Sequence, residues 1–278
     1  MYYQRKDLSA AEKAKPYAKY YYRDPTAPAP EKLAAMAKPI DPSQALRIED
    51  RNDLLNPGYL EAEAGWCVMP DGSAYVANHT EMPGITVDMF LWWFAWHALE
   101  PMRYKIWYRP SHYHVQPTPA SRQRLLDDNL PIKDRVYNVS HYVVEDIGGG
   151  PELIWLDFVS ADEMGFDMAR FKAPNVAGLI ASRGQSKMAN IPAGDFNPKG
   201  CATMCHFLRE IAGGVELRTR FWMGKKVFKG QAYHLLPEGV GLPPFVPQGL
   251  AIHNVHEFTN LAAFLPEIYR EYEGAVFE

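Results

Sequence analysis

The chain has little cysteine, no long apolar run and no excess of positive charge, and each shortage excludes something. Three cysteines among 278 residues, Cys67, Cys201 and Cys205, leave an odd number, which is no basis for a disulfide framework. Cys201 and Cys205 stand four apart with no second pair, unlike a zinc ribbon, and these two read as small buried hydrophobes. The most apolar window, residues 89–99 (MFLWWFAWHAL), is broken by His97. It is far shorter than the roughly 20 residues that cross a bilayer, so it predicts a buried helix. Lys and Arg total 29 against 33 Asp and Glu, a formal charge of −4, so no general attraction for nucleic acid or an anionic membrane is expected. Nucleotide fingerprints are missing: GGGPEL lacks the GxGxxG spacing and no GxxxxGK(S/T) occurs. The start, MYYQRKDLSA, lacks the basic-then-apolar order of a secretory signal, and a cytoplasmic protein is expected.

What is present is apolar and turn-rich: 47% hydrophobic, 13% aromatic, 23 Pro and 20 Gly, the composition of a sheet-rich or mixed domain. Residues 1–60 stand apart as polar and helical, with helices expected near Ser9–Tyr20, Glu31–Lys38 and Pro42–Leu55. Asp41 reads as an N-cap with Pro42 at the first helical position. This segment has too few large apolar residues to fold alone, and should pack on the main body, residues 61–278, or on a second subunit. From Gly65 the pattern changes to strands: GWCVM, a Pro70-Asp71-Gly72 turn and SAYVANHTEM form a hairpin. Thr86 caps a helix running to about Glu100, where Pro101 marks its end. Extended runs come next at 103–109, 135–147, 152–160, 177–182, 201–211 and 215–224, with Gly148–Gly150 and Gly213–Gly214 as hairpin connections. From Leu250 a helix of five or six turns carries Leu250, Val255, Phe258, Leu261, Ala262 and Leu265 as one apolar stripe, despite Pro266. An α+β fold results, an antiparallel sheet closed by a long C-terminal helix with a cavity between.

The sharpest chemical signal lies on that helix. His253 and Glu257, four apart, project from one face and can meet a single cation. Candidate partners are His112 and His114, which share a face in an extended strand, and Glu145, set among Val143, Val144 and Ile147 where a free carboxylate is costly. His206 alternates with Met204 and Leu208 on one strand face, either as a packed core residue or as a general acid/base. Tyr104 and Tyr108 offer phenol donors. His97, with Glu100 one turn later, reads as a helix-terminal packing residue; His79, His141, His234 and His256 carry no spacing argument.

Taken in order, WWFAWH, RYKIWYRPSHYH, VVEDIGGG, HFLREIAGGVELRTRFW and HNVHEFTNLAAFLP resemble the 2,4-diacetylphloroglucinol hydrolase family, which includes phloretin hydrolases. The likeness runs from about Gly65 to the C-terminus. It implies a Bet v 1-like (START-related) fold, a helical N-terminal region used in homodimerisation, and a zinc ion held by two His and two Glu. Carried over, these are His253 and Glu257 from HNVHEF, Glu145 from VVED, and a histidine of RPSHYH. Counting from Tyr104, which matches a substrate-binding tyrosine, favours His112; counting back from Glu145 favours His114. We take His112, because loops absorb length changes more readily than a Tyr-to-His step within one strand. His206 falls at the catalytic histidine, and Phe221 stands where the family pattern has a second substrate-binding tyrosine.

The activity implied by this resemblance is hydrolysis of the carbon–carbon bond between an acyl group and a polyhydroxylated aromatic ring. Two rivals use the same residues. A non-haem iron oxygenase takes two His and one carboxylate with open positions, and a metal-free carrier uses the cavity alone. Against the carrier stands the cost of placing several ionisable groups beside one apolar pocket.

Overall fold

Local capping rules act first on the N-terminal segment. A computed structural model describes residues 8–275 except 173, 174, 193, 196 and 198. It shows α1 (Ala10–Lys13), α2 (Ala18–Tyr21) and α3 (Pro30–Ala35), shorter than the helices expected. Ser9 and Glu12 make a reciprocal capping box at α1, but Pro16 cannot continue the hydrogen-bond ladder and divides the run expected over Ser9–Tyr20. Asp41 caps as expected, accepting from the Ser43 amide. Beyond this cap the chain forms two stretches of 3₁₀ helix, Pro42–Gln44 and Ile48–Leu55, instead of one α-helix. Arg51 there donates to the carbonyls of Ile48 and Met164.

The body comprises β1 (Gly65–Val68), β2 (Ala74–Pro83), α4 (Val87–His97), α5 (Pro101–Trp107), β3 (His112–Pro117), α6 (Pro119–Leu125), α7 (Ile132–Arg135), β4 (Val139–Asp146), β5 (Pro151–Val159), β6 (Gly178–Met188), β7 (Gly200–Ile211), β8 (Gly214–Met223), β9 (Lys225–Phe228), β10 (Gln231–His234) and α8 (Phe245–Tyr272). Eight strands form one antiparallel sheet in the order β1-β2-β8-β7-β6-β5-β4-β3, and β9 pairs with β10 apart from it. The β1–β2, β4–β5 and β7–β8 hairpins fall where the turn signals put them. Residues 103–109 do not: Met102, Tyr104, Ile106 and Trp107 are buried on helix α5, not on a strand. Pro101 ends nothing here but occupies the first helical position of α5, and burial outweighs the strand preference of Tyr, Ile and Trp. Helix α8 begins earlier than expected, at Phe245, and runs through Pro266 with Leu265 and Ile268 buried on either side.

Helix α4 is buried from Phe90 to His97, as an all-round apolar helix must be. Together with α5, α8 and the inner sheet face it forms a core containing Trp93, Leu208, Leu217, Phe258, Leu261 and Leu265. A second core lies on the outer sheet face, where Ile48, Leu54 and Leu55 meet Phe166, Phe207 and Trp222. The N-terminal segment packs on its own chain: Tyr17 and Tyr20 join the first core, Trp66 Nε1 donates to the Met36 carbonyl, and Arg23 pairs with Glu267. Cys67 and Cys205 are buried and all three thiols are free, with burial raising the Cys205 pKa. Among the described residues no helix is long and apolar enough to cross a membrane.

Candidate active site

Where α5, β3, β4 and α8 meet, four ionisable side chains converge, three of them buried and Glu145 half-buried. His112 opens β3 and pairs across the ladder with Glu145 of β4, while His253 and Glu257 come from one face of α8. His112 Nε2 lies 3.3 Å from His253 Nε2, 3.6 Å from Glu145 Oε2 and 3.5 Å from Glu257 Oε2. His253 Nε2 lies 4.0 Å from Glu145 Oε2 and 3.7 Å from Glu257 Oε2. A β-bulge between His112 and His114 places His114 opposite Val144. The two histidines therefore do not share a face, and the expectation drawn from an unbroken strand fails. The structure brings His112, not His114, to the cluster.

The surroundings orient these groups. His112 Nδ1–H donates to the Tyr104 carbonyl at 3.2 Å, which leaves the Nε2 lone pair facing inward. The His112 ring lies flat on the Tyr104 ring, centroids 4.1 Å apart, and the Tyr104 hydroxyl donates to Glu145 Oε2. Asn254 Nδ2 donates to Glu257 Oε1 at 2.9 Å, and Asn78 donates in turn to Asn254 Oδ1 at 2.8 Å. Helix α5 is tied to α8 by Trp107 Nε1 donating to the Glu257 carbonyl and Asn260 donating to the Trp107 carbonyl.

This donor set could hold a cation. Four ligands about 2.0–2.1 Å from a tetrahedral centre lie about 3.3 Å apart, close to the separations between these atoms. His112, Glu145 and His253 form a group able to hold a metal ion, with Glu257 alongside. Burial, reinforced by the Glu257 carboxylate, pushes Glu145 up to about 8, and burial pushes Glu257 up to about 7. Burial pushes His112 down to about 3 and His253 to about 4. Two neutral imidazoles and two carboxylates confined together are what a divalent ion satisfies.

Beside the cluster lies a cavity of about 450 Å³ between the sheet and α8, lined by Tyr104, Glu145, His206, Phe221, His253 and Glu257 among others. His206 on β7 is buried, with Nδ1 2.8 Å from Thr219 Oγ1 and its ring edge-on to Phe258 and Phe221. His97 and His141 also line this space.

Known proteins share this chain's pattern over most of its length. Residues 46–270 match the DAPG hydrolase PhiG domain. The chain belongs to the DAPG hydrolase family. It is 39% identical over 265 residues to phloretin hydrolase of Eubacterium ramulus, covering 94% of this chain and 91% of that one. It is 31% identical over 274 residues to 2,4-diacetylphloroglucinol hydrolase of a Pseudomonas sp, covering 95% and 90%. To the enzyme of that name from Pseudomonas protegens it is 30% identical, covering 95% and 86%.

The structure thus gathers Tyr104, His112, Glu145, His206, His253, Glu257 and Phe221 in or around one cavity, and leaves His114 and Tyr108 outside its lining. Sequence reasoning missed Asn78 and Asn254, and treated His97 as packing and His141 as silent. Asn254 stands three residues before Glu257 on α8, a spacing that marks a side-chain pair on one helix face. No local pattern announces Asn78 or His141, because their neighbours are distant in the chain.

Proposed function

We propose that this protein is a metal-dependent hydrolase, zinc being the metal, that cleaves the carbon–carbon bond between an acyl group and a polyhydroxylated aromatic ring. The observation that carries the reading is the convergence of His112, Glu145, His253 and Glu257 at the wall of an aromatic-lined cavity that also holds His206 and Tyr104. The names of the relatives, phloretin hydrolase and 2,4-diacetylphloroglucinol hydrolase, support the same class. A Bet v 1-like body over residues 61–278 is part of this proposal, supported by the long helix α8 lying across an antiparallel sheet with a cavity between. So is a homodimer joined through residues 1–60, where Tyr22 and Tyr59 are exposed aromatics.

The reaction consumes an aryl ketone and water and yields the free phenol and a carboxylic acid. His112, Glu145, His253 and Glu257 would hold a zinc ion, which when bound would supply a Lewis acid and a water of pKa about 7. Asn254 donates to one oxygen of Glu257, Oε1, which leaves Oε2 turned toward His112 and His253. Tyr104 stays protonated, since burial and Glu145 both raise it. Its O–H fixes Glu145, and its oxygen is left to accept from a ring hydroxyl. The ring carbon must gain a proton as the acyl bond breaks. His206, pushed down to about 3 by burial, is neutral and works as a relay: its free ring nitrogen accepts a proton from the attacking water and then passes that proton to the ring carbon.

The deciding experiment assays the purified protein for stoichiometric metal and for turnover of a panel of acylphloroglucinols and dihydrochalcones with and without chelator. Stoichiometric metal with chelator-sensitive release of the phenol is the expected result. Protein without metal that binds the panel but leaves it intact would establish the carrier instead, and turnover that requires oxygen would establish an oxygenase.

A further inference from the structure

We propose that His97 and His141 form a hydrogen-bonding subsite at the inner end of the cavity that seats the hydroxyl groups of a polyphenol ring. The proposal deepens the hydrolase reading and takes from it that the ligand is a phenol; the geometry of the two histidines stands independently.

His97 closes α4, and its Nδ1–H donates to the Trp93 carbonyl at 2.7 Å. A carbonyl can only accept, so Nε2 of the neutral ring is a bare acceptor. The ring is held between Trp93, centroids 5.6 Å apart and 23° from parallel, and Tyr104, 5.8 Å and 26°, which blocks its rotation. His141 comes from β4 and packs on Phe158 at 4.9 Å. Its Nδ1 is buried with no hydrogen-bond partner. The two imidazoles stand 6.4 Å apart, nearly perpendicular, and both line the cavity.

A buried polar atom without a partner, as His141 Nδ1 is, is costly and calls for an explanation. Phe94, Trp107 and Phe158 line the cavity beside the two rings and offer no hydrogen bond from a ring face. Burial lowers both imidazoles, His141 to about 4, so each is neutral and carries one N–H and one lone pair. A phenol hydroxyl donates and accepts at once. It can donate to the fixed His97 acceptor, and a hydroxyl can likewise accept from the N–H of His141. The opposite end of the cavity reaches exposed Lys187, Lys199 and Phe245, so a ligand enters there and its hydroxylated ring travels inward.

The test measures binding of phloroglucinol, resorcinol and phenol to the full chain by calorimetry, because these rings carry three, two and one hydroxyl and no bond that the enzyme can cleave. Affinity is expected to fall stepwise with each hydroxyl lost. In His97→Phe and His141→Phe the ladder flattens: phloroglucinol weakens about tenfold, the size of one lost buried hydrogen bond, while phenol stays within about twofold. Variants that bind all three rings as wild type does, or lose all three equally, overturn the subsite. Should the phenylalanine variants not fold, His97→Gln and His141→Asn, which keep a hydrogen-bonding group, decide it: they must retain a graded ladder with altered spacing, and an unchanged ladder counts against the proposal. Failure of the hydrolase reading looks different, since wild type would then cleave no aryl ketone whatever its product affinities.

Discussion

The Nε2 atoms of His112 and His253 face each other at 3.3 Å although 141 residues separate them in the chain. One sits on the first residue of β3 and the other on α8, so the cluster exists only when helix and sheet are packed. The Trp107 and Asn260 hydrogen bonds, which join α5 to α8, hold that packing at the site itself.

Removing a cluster residue should empty the site. His253→Ala and Glu257→Ala are expected to lose metal and turnover together, whereas His206→Ala keeps its metal and loses turnover by about 100-fold or more, the usual worth of a placed proton-transfer group. Metal content by elemental analysis alongside the rate of phenol release checks this. A His206→Ala enzyme with wild-type turnover would remove His206 from the chemistry.

Asn254 is not one of the four converging residues, yet its side chain donates to Glu257 Oε1 and fixes that carboxylate. Asn254→Ala should weaken metal binding about 10–100-fold, as loss of a supporting hydrogen bond does, with the fold retained. Competition against a chromogenic chelator measures the change.

These residues show where the chain was legible and where it was not. The His253–Glu257 pair, the strand hairpins and the Thr86 cap are local, so spacing alone located them. The strand expected over 103–109 fails because Pro101 serves equally to stop one helix and start the next, and only the buried surroundings of Tyr104 and Trp107 choose. Tyr104 lies on α5 and His112 on β3, so the fixed step within one strand that favoured His112 does not exist. The residue so selected is nonetheless the one that the bulge turns inward. Asn78 and His141 act through partners on other elements, which no window of sequence displays.

On the outer sheet face, Glu63 accepts from Arg218 and Arg220, both guanidiniums almost wholly buried. Burial alone would raise Glu63, but the two arginines overcome it and hold the carboxyl near 2 against an ordinary 4.5. A pKa lowered by folding stabilises fully above the unfolded value, and that stability is lost as pH falls from about 4.5 toward 2. Glu63→Gln should cost about 3 kcal/mol at pH 7, because it strands two buried cations. Its thermal midpoint should then fall less steeply than wild type's between pH 4.5 and 2, read by circular dichroism.

Phe221 on β8 lines the cavity with its ring edge-on to His206, centroids 5.9 Å apart. Phe221→Tyr adds a hydroxyl to that wall and should change the ratio of kcat/KM values between substrates differing in their acyl group by about tenfold, a typical discrimination for one buried contact. An unchanged ratio would show that the acyl group does not reach β8.

The bulge at the head of β3 spares one residue, Tyr113, from the ladder, and this makes the identity of the inward histidine a matter of counting. Were Tyr113 deleted, His112 would sit next to His114 in sequence and the segment would pair without its extra member. Regular alternation would then keep His112 opposite Glu145 and His114 opposite Val144, still on opposite faces. The extra residue thus sets two histidines that stand two apart in sequence on opposite faces, which an unbroken strand does not allow.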